Sequence, residues 1–307
     1  MVPVEMAPPE MADGPRRAWR RSGAGPSGTG PGSSRFTQLL LALGLVALVG
    51  ALFAPTLAWL VRSWWVHPYY AHGLLMPAVA AWFLWRGRAA WSGGQPSDVG
   101  FGLIGAGIAV HLAALRYDVY PLSAAALLLV LAGIALLAGG RLALRSAVFP
   151  LLLLAIAIPL PATERIAPFL AAAVAGGAAE VVAASGVAVT QTGAQLTVGD
   201  GAFVVGAPCS GLRSLLALST LAVVLAGLLE GPRRYRALLV VLAVPLALVA
   251  NGVRLAGLLW VAGTLGVDQG LAFFHGPASP ILFVLAAAGL LACGRWLGCD
   301  VPRRATV

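Results

Sequence analysis

The chain has 307 residues, 60% of them hydrophobic and only 10% charged. Soluble domains average about 25% charged residues, so a cytosolic enzyme, a disordered regulator and a secreted disulfide scaffold are all excluded. The net charge is +9, and all 20 basic residues are arginine. They fall in short clusters between apolar runs, the pattern that sets membrane topology rather than one that binds nucleic acid.

In chain order, Met1 to Arg35 is rich in Pro, Gly, Ser and Ala and carries Arg16, Arg17, Arg20, Arg21 and Arg35. Such a segment cannot bury a core and reads as a disordered cytoplasmic tail. The apolar run after it is too long for a signal peptide and reads as an uncleaved span. Spans follow at approximately 37–61, 70–86, 99–115, 121–140, 146–162, 210–229, 237–262 and 279–297. The fold class expected is therefore an all-α polytopic membrane protein of about eight transmembrane helices. Its divisions are the tail at 1–35, a membrane domain at 36–298 and a short cytoplasmic tail at 299–307.

The arginines orient these spans. Arg86, Arg88, Arg141, Arg145, Arg233, Arg234, Arg236, Arg295, Arg303 and Arg304 join the N-terminal cluster on one side. The positive-inside rule makes that side cytoplasmic, with both termini inside. Residues 163–208 are left over on the outer side. The stretch Glu164 to Ala184 is expected as a helix in the outer interface. The Val- and Thr-rich run 187–200 reads as short extracytoplasmic strands or a hairpin.

Three places carry reactive groups. Cys209, in Pro208-Cys209-Ser210-Gly211-Leu212-Arg213, stands at the N-terminal turn of the sixth span. The positive end of a helix dipole and Arg213 four residues on both favour a thiolate. A small buried apolar cysteine is the competing reading. Arg254 interrupts the seventh span, with Asn251 on the same helix face. An arginine within a span is costly and needs a partner or a task; Glu180, Asp200 and Asp268 are the candidate structural partners. His275 lies in the loop before the last span, on the same outer side, and can act as acid or base near neutral pH. His111, in mid-span, reads as a packed core residue, and His67 and His72 as members of the first outer loop. The three cysteines, Cys209, Cys293 and Cys299, have no metal-ligand spacing, so no metal and no cofactor are expected.

These motifs, in this order, resemble the exosortase/archaeosortase family of membrane-embedded cysteine transpeptidases. The resemblance rests on Tyr70-Ala71-His72-Gly73-Leu74-Leu75-Met76-Pro77, Ile158-Pro159-Leu160-Pro161, Pro208-Cys209-Ser210-Gly211-Leu212-Arg213, and Asn251-Gly252-Val253-Arg254 followed by Phe274-His275. It covers about residues 60 to 295. It implies catalytic Cys209, Arg254 and His275 at the outer membrane face, with Arg213, Asn251 and Ser210 auxiliary. It also implies substrates that are membrane-anchored proteins ending in a short motif (Pro-Glu-Pro in bacteria), one span and a basic tail. The acyl acceptor is left open between water and an amine or hydroxyl on a lipid or glycan. The Arg-rich tail departs from the family core, and the soluble C-terminal domain fused to some members is not expected here. Two rival readings stand beside it: a non-catalytic membrane component of surface-polysaccharide export or assembly, and an acyltransferase using lipid donors. The scarcity of ionisable groups at span centres counts against a transporter.

Overall fold

The computed structural model describes residues 31–67, 69–204, 211–275 and 278–299. Most of the expected tail, residues 1–30, therefore lies outside the described residues, as do 300–307. The first unit of the chain ends at Leu52 and contributes one described helix, α1 (Pro31–Leu52), which begins inside the expected tail.

The second unit starts at Phe53. Its helices are α2 (Ala54–Val66), α3 (Met76–Arg86), the short α4 (Ala89–Ser92), α5 (Val99–Arg116), α6 (Tyr120–Ile156), α7 (Ala162–Ala184), α8 (Leu212–Leu228), α9 (Arg233–Leu265), α10 (Val267–His275) and α11 (Ala278–Trp296). Three strands, β1 (Val189–Thr192), β2 (Gln195–Val198) and β3 (Gly201–Val204), form an antiparallel meander in the order β1-β2-β3. The expected strands are present, one more than a hairpin. Leu196 and Val198 alternate inward along β2 and are almost fully buried against α7 and α9.

Four described helices, α5, α6, α7 and α9, are long and apolar enough to cross a membrane, or up to five if α1 and α2 count together as one span. This is a mostly helical membrane protein. Its lipid-facing character shows on α9, which exposes Val241, Val249 and Val253 while burying Ala243, Ala247 and Asn251.

Several expected spans differ in form. The run 37–61 is divided between α1 and α2, and Pro55 occupies the first turn of α2, where its missing N–H costs nothing. The expected span 70–86 is helical only over 11 residues, preceded by a 3₁₀ turn at Ala71–Leu74. An α-helix of that length rises only about 16 Å, short of a hydrocarbon core of about 30 Å. The spans 121–140 and 146–162 are two arms of α6, broken at Gly139 and Gly140, where non-helical backbone stands inside the element. Gly140 has φ 62°, which favours glycine, and a β-carbon there would collide with the carbonyl of Gln95. The break thus falls just ahead of the Arg141–Arg145 segment rather than within it. Finally, the helix expected at 164–184 is present as α7, 23 residues long and apolar, with the length and hydropathy of a span as well.

Helix α9 organises the rest. Its 33 residues rise about 50 Å, well beyond the ~30 Å of a bilayer's hydrocarbon core. The far part of α9, from Leu255 to Ala262, is clad by α7, the sheet and Phe274 in one continuous apolar core. Its nearer part packs with α8 and α11 through Leu218, Ala222, Leu239, Ala243, Ala247 and Leu290.

Candidate active site

The boundary between those two cores falls at Asn251 and Arg254, and that is where the sequence motifs meet. Helix α8 begins at Gly211, whose backbone is left-handed at φ 77°, ψ −9°. The Leu215 N–H donates to the Gly211 carbonyl at 2.8 Å, closing the first turn. Glycine is needed there twice over. An L-residue resists positive φ, and a β-carbon on Gly211 would stand 2.8 Å from Asn251 Nδ2 and 3.1 Å from its Cγ. Asn251 is 4% exposed. The turn that starts α8 is thus seated directly on the Asn251 side chain of α9.

Three residues further along α9, on the same face, lies Arg254. Its guanidinium carbon is 3.9 Å from the ring centroid of Phe274, a cation–π contact to the penultimate residue of α10. Phe274 is itself buried. A cavity of about 340 Å³ opens beside these residues. Arg213 and Ser214 of α8, Asn251 and Arg254 of α9, and Pro280 and Phe283 of α11 line it. The remaining wall is apolar, from Ala217, Leu218, Ala247, Ala250, Leu282 and Ala286. The chamber therefore pairs two guanidinium groups with an apolar surface.

Of the residues expected at the site, Arg213, Asn251 and Arg254 come together around one cavity. Cys209 and Ser210 lie outside the described residues; in the chain they are the two residues ahead of Gly211. His275 is the last residue of α10 rather than part of a loop, and its side chain lies outside the described atoms. Sequence reasoning overlooked Phe274 and the steric role of Gly211. Both stood in the quoted motifs, where only the polar neighbours drew notice.

The other two motifs meet elsewhere. The Leu160 N–H donates to the Tyr70 hydroxyl at 3.0 Å, and Trp64 Nε1 donates to the Ala157 carbonyl at 2.8 Å. The Trp64 ring lies so close over Gly73 that a β-carbon there would collide with it. His67 Nε2 is 3.2 Å from Glu164 Oε1. The Tyr-x-His-Gly block is thereby joined to the Ile-Pro-Leu-Pro block and the start of α7. Leu212 packs into the same core as Tyr69, Tyr70, Met76 and Ile158, which anchors the head of α8 to it. These residues fix the position of the site. His111 is the satisfied core residue expected: fully buried, its Nδ1 is 2.7 Å from Ser123 Oγ, and its ring is tilted on Phe53 at 4.0 Å. Cys293 and Cys299 are free thiols. Among the described residues no group of His, Cys, Asp and Glu is arranged to hold a metal ion.

The family model described as transmembrane exosortase (Exosortase_EpsH) matches residues 64–292. No curated protein and no solved structure matches the chain. The matched stretch takes in the Trp64 and Tyr70 contacts, both guanidinium groups and Phe274, about three quarters of the chain in all, and on that extent the chain belongs to the transmembrane exosortase family.

Proposed function

We propose that the protein is a membrane cysteine peptidase or transpeptidase. It cleaves the C-terminal sorting signal of exported, membrane-anchored proteins. The observation that carries this reading is the cavity shared by Arg213, Asn251 and Arg254, which opens at the helix start immediately after Cys209-Ser210 in the chain. Covalent geometry limits how far the thiol can stray, since two trans peptide units span at most about 7.6 Å between Cα atoms.

The chemistry is acyl transfer. The Cys209 thiolate adds to a substrate carbonyl carbon, and its electron pair moves to the carbonyl oxygen. Arg254 donates to that oxyanion, and a fixed charge in a water-poor chamber is effective at this task. The positive end of α8 and Arg213 hold Cys209 ionised. As the C–N bond breaks, His275 as imidazolium gives its proton to the leaving amine. The thioester is then attacked by an acceptor whose proton returns to His275, and the thiolate is released. Water as acceptor makes the protein a peptidase; an amine or hydroxyl makes it a transpeptidase. The apolar wall of the cavity suits a substrate whose scissile bond is followed by a span.

The proposed setting is the outer face of the cytoplasmic membrane. The eight crossings expected from the sequence, with α7 lying at the outer interface and outside that count, would keep both ends inside. Packing supports this: Gly87 abuts Ser146, and Gly231 abuts Cys299, so segments bearing inner arginines gather at one end. From Arg233 to Arg254, α9 rises about 32 Å, one hydrocarbon core, a length in keeping with Arg254 at the opposite boundary.

The test is co-expression with a reporter ending in a short motif, a span and a basic tail. Wild-type protein should shorten the reporter, and Cys209→Ala at matched expression should not. Cleavage undiminished in Cys209→Ala would remove the cysteine mechanism and leave an assembly role.

A further inference from the structure

A second cavity, of about 750 Å³, lies at the other end of the molecule and takes no part in the proposed catalysis. Arg145 at the start of the second arm of α6 and Arg233 and Arg236 at the head of α9 line it, and no carboxylate does. Its remaining walls are apolar, with Phe83, Phe149, Leu152, Val223 and Val240 prominent. Phe83 and Phe149 meet edge to face at 4.7 Å, and Gly227 gives the Phe149 ring room against α8. Arg236 is held in place: its Nη1 donates to the Ala226 carbonyl, 3.1 Å away in the last turn of α8. Its Nε is buried, with no hydrogen-bond partner among the described residues.

Three like charges around one cavity repel each other, and a buried guanidinium donor left unmet carries a desolvation cost. A multivalent oxyanion resolves both, since phosphate matches the planar donor fork of arginine. The apolar walls continue from the charged rim, so the occupant that fits both parts has an anionic phosphate head and a hydrocarbon tail. We propose that this groove binds an anionic phospholipid of the leaflet that flanks the arginine clusters. Its phosphodiester lies among Arg145, Arg233 and Arg236, and an acyl chain lies along Phe83, Phe149 and Val223. Basic pockets between membrane helices are suited to such headgroups, and the volume is that of a small-molecule site.

The experiment uses full-length purified protein, delipidated in a neutral detergent. It is titrated separately with phosphatidylglycerol, phosphatidylcholine, glycerol phosphate and inorganic phosphate, with bound lipid read by native mass spectrometry and melting followed in parallel. Phosphatidylglycerol should bind and raise the melting temperature, while phosphatidylcholine at the same concentration should do neither. The double variant Arg145→Gln/Arg233→Gln, which leaves the anchored Arg236 in place, should weaken phosphatidylglycerol binding about thirtyfold. Its melting temperature without lipid should be no lower than that of the wild type, since two mutually repelling charges are removed, and this separates lost binding from lost folding. Equal binding of the two lipids, or undiminished binding by a folded double variant, overturns the proposal. Stabilisation by glycerol phosphate or inorganic phosphate equal to that by phosphatidylglycerol overturns the lipid assignment in favour of a free phosphate ligand.

Discussion

Arg254 on α9 and Phe274 on α10 are joined face-on, guanidinium over ring, at 3.9 Å. The contact couples a question of charge to one of packing. Arg254 needs its planar donor fork to serve an oxyanion, and the ring beneath it fixes the plane of that fork. Lysine keeps the charge and loses the fork. Arg254→Lys is expected to lose about 100- to 1000-fold in processing rate at matched expression, the scale of one oxyanion donor. A near-normal rate would make Arg254 a structural residue.

Phe274→Leu separates the platform from the charge. It preserves an apolar side chain beside Arg254 and removes only the ring. A desolvated cation–π contact is worth about 2 kcal/mol at most, so a rate loss of up to about thirtyfold is expected, well short of Arg254→Lys. The readout is single-turnover processing of the reporter. A loss equal to that of Arg254→Lys would mean the variant had displaced the whole of α10.

Gly211→Ala tests the joint between α8 and α9. It forces an L-residue into φ 77° and drives a β-carbon to 2.8 Å from Asn251 Nδ2. The backbone part alone costs about 1–2 kcal/mol. Pairing it with Asn251→Ala removes the amide collision and leaves only the β-carbon contact at 3.3 Å and the φ penalty, so the melting temperature of the double variant should recover only in part. Full stability in the single variant would show that the α8 start is free to shift.

Arg213→Lys should retain part of the activity that Arg254→Lys loses. Arg213 follows Cys209 by four residues in the chain, and its proposed role is charge on the thiolate, which lysine supplies equally. Thiol reactivity against pH gives the readout: the Cys209 profile should move little in Arg213→Lys and upward in Arg213→Gln. Identical profiles in all three proteins would take Arg213 out of thiolate stabilisation.

Sidedness can be read with a membrane-impermeant thiol reagent on intact cells. Cys209 should be labelled, whereas Cys293 and Cys299 should not, because the proposed topology puts the end of α11 inside and Cys299 is buried as well. Labelling of Cys299 alone would invert the topology and the mechanism with it.

Composition by itself determined the membrane class, since 10% charged residues leave no polar surface for a water-soluble chain of this size. The order of motifs determined the family, and the Val- and Thr-rich alternation at 187–200 located the strands. Arg213, Asn251 and Arg254, which share one cavity, were legible as candidates because polar groups are rare in apolar helices and so mark themselves. Tertiary structure alone decided what surrounds them. The span boundary at 140 was legible, but hydropathy averages over a window and cannot register the Gly139–Gly140 kink that makes it, or that the run at 70–86 opens with a 3₁₀ turn. The Gly211–Asn251 seat and the Arg254–Phe274 stack each join residues 20 or more positions apart. Helical periodicity reaches only three or four residues along a chain, so contacts between α8, α9 and α10 exist only once those helices pack.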